Sequence, residues 1–163
     1  GGEPTLQPGL EAAVVEIRSL GYKVKLDTNG TRPEVLKRLL DRGMLDYVAM
    51  DVKSSADRHV RVTGGKAGDR AAVEQSMDLL MGSTVAHEFR TTVVFPLHDY
   101  EEVRQIGERL AGAGRWVLQA YKPAPSIPEE EALFSPPMGT LEIWKTQLER
   151  DIPGINVELR TGY

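Results

Sequence analysis

Stretches with helical spacing alternate with short runs of β-forming residues along this 163-residue chain, and that alternation restricts the fold more than any other feature. Pro8 opens the first helical stretch, whose apolar stripe is Leu10, Ala13, Val14, Ile17 and Leu20, with Gly21 as its stop. Pro33 opens the second, carrying Val35, Leu36, Leu39 and Leu40 ahead of Gly43. The third holds Val73, Met77 and Leu80, the fourth Val103, Ile106 and Leu110, and the fifth Leu141, Trp144 and Leu148 ahead of Pro153. The runs between them, Lys23–Asp27, Tyr47–Val52, His87–Phe95, Trp116–Tyr121 and Ile155–Leu159, predict strands. Strand and helix in turn are the pattern of a parallel α/β sheet built from βαβ units. The length suits one domain over residues 1–163 with a proper core. The segment Lys122–Pro137, with five prolines, predicts a long ordered loop. Because the first helix follows Gly1-Gly2-Glu3-Pro4 directly, a strand is expected before Gly1, and the chain reads as truncated there.

In folds of this class, polar residues at the carboxyl ends of strands are the first place to look for chemistry. The first run ends in Asp27-Thr28-Asn29-Gly30 and the second in Met50-Asp51-Val52-Lys53. The later ones carry Arg90-Thr91-Thr92-Val93-Val94 and Leu118-Gln119-Ala120-Tyr121. Asp51 and Lys53 are two apart, which in a strand places both on one face, into a barrel if the sheet closes. Opposite charges aimed inward are costly unless they pair or bind something. With Asp27 they suit a ligand bearing a carboxylate and positive groups, or a cation bridging protein and ligand. Gly1 and Gly2 allow the backbone to approach such a ligand closely.

Each of these residues also has a plainer reading. Asp51 and Lys53 can form a structural ion pair, Asp27 to Gly30 a capped βα turn, Arg90 a rim charge and Gln119 a satisfied core polar group. Gly64-Gly65-Lys66-Ala67 fails as a phosphate loop, which needs Gly where Val60 stands and Ser or Thr at Ala67. Asn29-Gly30-Thr31 fits a glycosylation sequon, but nothing suggests secretion. Asp51, Lys53 and Asp57 miss by one position the Asp-Lys-Asp array of decarboxylase barrels. His59, His87 and His98 lack metal-site spacing. A net charge of −4 argues against nonspecific nucleic-acid binding, no apolar run is long enough to span a membrane, and the cytoplasm is the default compartment. The absence of cysteine excludes disulfides, thiolate catalysis and any thiolate-held iron–sulfur cluster within these residues.

Taken in order, the segments Gly1-Gly2-Glu3-Pro4, Leu26-Asp27-Thr28-Asn29-Gly30, Asp46 to Lys53, Arg90 to Val94 and Leu118-Gln119 with Pro123 resemble the radical S-adenosylmethionine (SAM) activating enzymes. The similarity is to the branch that activates anaerobic ribonucleoside-triphosphate reductase and pyruvate formate-lyase. It implies an incomplete (β/α) TIM-like barrel, here lacking its first strands, with SAM at the carboxyl end. By resemblance, the loop of Gly1, Gly2 and Glu3 receives the SAM amino group, and Lys53 faces the SAM carboxylate. Asp27, Thr28 and Asp51 match positions that hold a monovalent cation, Asn29 belongs to the same cofactor-binding turn, and Arg90, Gln119 and Tyr121 line the adenosine side. The implied reaction uses a reduced 4Fe–4S cluster to cleave SAM, and the resulting 5′-deoxyadenosyl radical takes a hydrogen from a backbone glycine of a partner glycyl-radical enzyme.

The family's Cys-x-x-x-Cys-x-x-Cys is missing, so its cluster ligands are expected upstream of Gly1, and this fragment alone is expected to be inactive. Two other readings stay open. One is a cluster-less SAM-binding or regulatory module, and the other a barrel lyase or epimerase using Asp51 and Lys53 as acid and base.

Overall fold

The structure, a computed structural model, describes residues 2–55, 67–122 and 133–160. Gly1, Asp57, His59, Pro123, the Gly64–Lys66 motif and most of the proline-rich loop lie outside the described residues. Strands and helices alternate as the sequence predicts: α1 (Leu10–Ser19), β1 (Lys25–Thr28), α2 (Pro33–Asp41), β2 (Tyr47–Asp51), α3 (Ala67–Met81), β3 (Ala86–Val93), α4 (Tyr100–Arg109), β4 (Trp116–Ala120), α5 (Thr140–Asp151) and β5 (Val157–Arg160). A short 3-10 turn, Pro4–Leu6, precedes them. The chain forms two compact units, one of residues 1–51 and 66–88 and the other of residues 52–65 and 89–163.

In the first unit β1 and β2 pair in parallel, with Leu26 beside Val48 and Thr28 beside Met50. Burial along β1 alternates, with Leu26 and Thr28 covered and Lys25 and Asp27 exposed. In β2, Val48, Ala49 and Met50 are all fully buried, as expected of a parallel strand covered on both faces. Leu36 and Leu39 of α2 and Met77 and Leu80 of α3 complete this core. α1 contributes little to it. Of the predicted apolar stripe, only Val14 is buried, while Ile17 and Leu20 are 40% and 67% exposed. A helical period identifies a helix without saying how much of its face is covered.

In the second unit residues 89–93 of β3 pair in parallel with β4, and β4 with β5. Phe89, Val93, Trp116, Leu118 and Val157 are buried on the sheet, with Ile106 and Leu110 of α4 and Leu148 of α5 among the covered helix residues. Gly107 matters here because a Cβ on it would lie 2.9 Å from Ile152 Cδ1 and 3.0 Å from the Trp116 ring. Phe134 returns to the edge of this unit, exchanging two backbone hydrogen bonds with Phe95.

Candidate S-adenosylmethionine site

The carboxyl end of β1 is a turn whose polar atoms are almost entirely engaged. Thr28 Oγ1 accepts the Gly30 N–H, and Asn29 Oδ1 accepts from both the N–H and the hydroxyl of Thr31. Gly30 has φ +76°, and a Cβ there would stand 2.1 Å from Met50 Cε. Only glycine suits that backbone and that space. The buried hydroxyl of Ser76 on α3 donates to the Gly30 carbonyl at 2.7 Å, fixing the turn from the other side.

Glu3 ties the N-terminal loop to this turn. Its Oε1 accepts the Thr5 N–H at 3.1 Å, the Thr5 hydroxyl at 2.6 Å and the Thr28 hydroxyl at 2.7 Å. Its Oε2 accepts the Asn29 N–H at 2.7 Å. A carboxylate offers about four acceptor positions, so four donors nearly fill it. The side chain of Glu3 therefore orders the loop, and the half-exposed turn of Asn29 and the exposed backbone of Gly2 are the parts that face outward. Nothing lies within 4 Å of a Cβ built on Gly2.

The register places Asp27 beside Ala49, so Asp27 and Asp51 lie on one face of the β1–β2 pair. Asp27 is 48% exposed in its side chain and sits 3.6 Å from Lys25 Nζ, while Asp51 is half-buried at the end of β2. Among the described residues no group of three or more His, Cys, Asp or Glu could hold a metal ion.

The second unit begins with the loop that follows β2. Because β2 ends at Asp51, Lys53 lies beyond the strand, and the expectation that Asp51 and Lys53 share a strand face does not carry over. Lys53 is exposed, and its ammonium has no ion pair or hydrogen bond among the described residues. On the sheet, Thr92 stands beside Gln119 and Gln119 beside Arg160. Arg90 shares the Thr92 face, and Gln119 Nε2 donates to Thr92 Oγ1 at 2.7 Å. Arg90, Gln119 and Tyr121 are each half-buried, Tyr121 just past the end of β4. Arg160 was not singled out from the sequence. Its place in register with Gln119 brings a second guanidinium to this polar row, and only strand pairing reveals it.

The sequence profile of the radical SAM superfamily matches residues 1–110. The chain belongs to the radical SAM superfamily. It is 34% identical over 137 residues to a provisionally named glycyl-radical enzyme activating enzyme of Methanocaldococcus jannaschii, covering 80% of this chain and 56% of that protein. It is 27% identical over 134 residues to the tungsten-containing aldehyde ferredoxin oxidoreductase cofactor-modifying protein of Pyrococcus furiosus, covering 79% of this chain and 38% of that one. It thus spans about half, or less, of the length of these relatives. Among solved structures, a domain of the pyruvate-formate lyase-activating enzyme from Bacteroides vulgatus superposes with TM-score 0.75 at 16% identity, covering 99% of this chain and 96% of that domain. TYW1 with a lysine-pyruvate adduct bound superposes with TM-score 0.71 at 18% identity, covering 93% and 48%. The two superpositions bear on the fold, and they agree with the expected α/β class and partial-barrel type.

SAM carries one carboxylate, one amino group, a sulfonium and an adenosine. The first unit offers two carboxylates on one face at Asp27 and Asp51 and an open glycine backbone at Gly2, and the second an ammonium at Lys53 with no ion pair or hydrogen bond among the described residues. Donors of these kinds suit those groups. A 4Fe–4S cluster does not fit this chain, because none of its residues is a cysteine.

Proposed function

We propose that these residues form the SAM-binding portion of a radical SAM activating enzyme whose partner is a glycyl-radical enzyme of the anaerobic ribonucleotide reductase or pyruvate formate-lyase kind. The observation that carries this reading is the exposed ammonium of Lys53 just past β2, without a partner among the described residues and inside the segment matching the superfamily. Lys53 suits the SAM carboxylate as a compact point charge. Gly2 and the turn that Glu3 orders offer backbone to the SAM amino group, with Gly1 beside them in sequence. Asp27, Thr28 and Asp51 would hold a monovalent cation near the carboxylate, and Arg90, Gln119 and Tyr121 would contact the adenosine. Bound SAM supplies the radical chemistry of the superfamily, while the chain binds and orients it. The relationship to the M. jannaschii protein supports the choice of partner class.

The cluster ligands would be supplied by residues outside these 163. Reading the gene around this segment tests that: Cys-x-x-x-Cys-x-x-Cys upstream of Gly1 supports the enzyme. Its absence favours a cluster-less SAM-binding module, the reading to which the lack of cysteine in this chain lends weight. For the site itself, Lys53→Ala and Asp51→Ala should each raise the SAM dissociation constant of the intact protein about tenfold, the scale of one lost charge-assisted contact. Calorimetric affinities unchanged in both variants would refute the assignment.

A further inference from the structure

We propose that His98 and Glu102, at the corner between β3 and α4, are positioning residues that present Lys53 to the carboxylate of SAM. This rests on the reading of Lys53 given above. Glu102 is fully buried and stands in the first turn of α4, where its own N–H is capped by Asp99 Oδ1 at 2.8 Å. A carboxylate in the third helical position commonly folds back on its own cap. This one reaches forty-seven residues back in sequence, accepting the Ser55 N–H at 2.5 Å and the Ser55 hydroxyl at 2.7 Å. Four residues before it, His98 is 3% exposed and places Nε2 2.9 Å from the Lys53 carbonyl oxygen. A carbonyl only accepts, so Nε2 donates to it, while Nδ1 lies 3.2 Å from both the N–H and the carbonyl oxygen of Val94.

The neighbouring backbone is held as firmly. The Val52 N–H donates to the Arg90 carbonyl at 2.8 Å, and the Thr91 hydroxyl donates to the Val52 carbonyl at 2.8 Å. Residues 53 and 55 are therefore anchored from the corner and residue 52 from β3, while the Lys53 side chain is exposed with its ammonium unengaged among the described residues. Burying an imidazole and a carboxylate is costly unless they are satisfied, and here each places a bond on one short loop, His98 at the Lys53 carbonyl and Glu102 at Ser55. Among the described residues of that loop, 52–55, the one cation is Lys53. Fixing its backbone removes conformational freedom that a ligand would otherwise have to quench on binding.

Calorimetry on the intact protein, with SAM and with 5′-methylthioadenosine as probes, tests this. The second compound keeps the adenosine and sulfur and lacks the amino-acid carboxylate. His98→Ala and Glu102→Ala should weaken SAM about three- to tenfold and leave 5′-methylthioadenosine unaffected, the range expected from freeing one contact. His98→Gln and Glu102→Gln, which keep a donor and an acceptor in place, should recover most of the affinity. In a Lys53→Ala background, neither His98→Ala nor Glu102→Ala should weaken SAM further. Ser55→Ala, which removes only the hydroxyl bond, carries the test if Glu102→Ala does not fold. Equal weakening of both probes, or losses that add to that of Lys53→Ala, would mean that the corner supports the fold at large and would overturn the proposal alone. A Lys53→Ala variant with unchanged SAM affinity would overturn the reading of Lys53 itself, and this proposal with it.

Discussion

Each unit ties down a strand-end loop with one carboxylate, and the two ties are built differently. Glu3 is half-exposed and gathers four donors from Thr5, Thr28 and Asn29. Glu102 is fully buried and accepts both the N–H and the hydroxyl of a single residue, Ser55. Burial makes the second tie the stronger. Water can replace much of what Glu3 provides, whereas donors left without an acceptor in a dry interior carry their whole desolvation cost. The comparison teaches that the loop bearing Lys53 is held by the less replaceable device.

The largest effect should come from Glu102→Ala. The buried N–H and hydroxyl of Ser55 would lose their acceptor together, at about 3–4 kcal/mol of folding stability, read as a shift of the urea midpoint. Gly30→Ala should follow at about 2–3 kcal/mol, since the turn in the first unit requires positive φ and the fully buried Met50 would have to move. Glu3→Ala should cost about 1–2 kcal/mol despite its four bonds. A Glu3→Ala loss as large as that of Glu102→Ala would break the comparison, because burial would then not be what separates the two ties.

Much of this architecture is legible in the sequence. Among the described residues, repeated spacing locates the five α-helices, and β-forming runs locate the five strands within about two residues of their ends. The Asp27 to Gly30 turn announces itself through Asn and Gly. What periodicity does not carry is partnership. The stripe on α1 predicts a helix, yet only Val14 of it is buried. Nothing local to Glu102 says that its carboxylate reaches Ser55, forty-seven residues away. Lys53 is misplaced for a similar reason. Two-residue parity holds only while the strand lasts, and β2 stops at Asp51, before the loop that His98 and Glu102 hold.

The smallest expected effect comes from a third tie, in the first unit, and it sharpens the comparison through pH. Asp46 accepts the Val24 N–H at 2.7 Å and an Arg18 guanidinium N–H at 2.8 Å, in an exposed setting. The Val24 N–H first, and then Arg18, hold its carboxyl below the ordinary range, against the opposing pull of partial desolvation. A carboxyl depressed in the folded state adds stability that is fully present above the unfolded value of about 3.9. That contribution is lost as pH falls through the lower folded value. Asp46→Asn should therefore lower the urea midpoint slightly at pH 7, and the gap from the parent should close as the pH drops below about 4. Glu102→Ala should behave differently, because an alanine strands the Ser55 donors at every pH, so a substantial part of its loss should persist where that of Asp46→Asn has vanished. A gap for Asp46→Asn that stayed constant down to the acid limb would show that the Val24 and Arg18 contacts do not depend on its charge, and an exposed tie would then be as indifferent to pH as a packing contact.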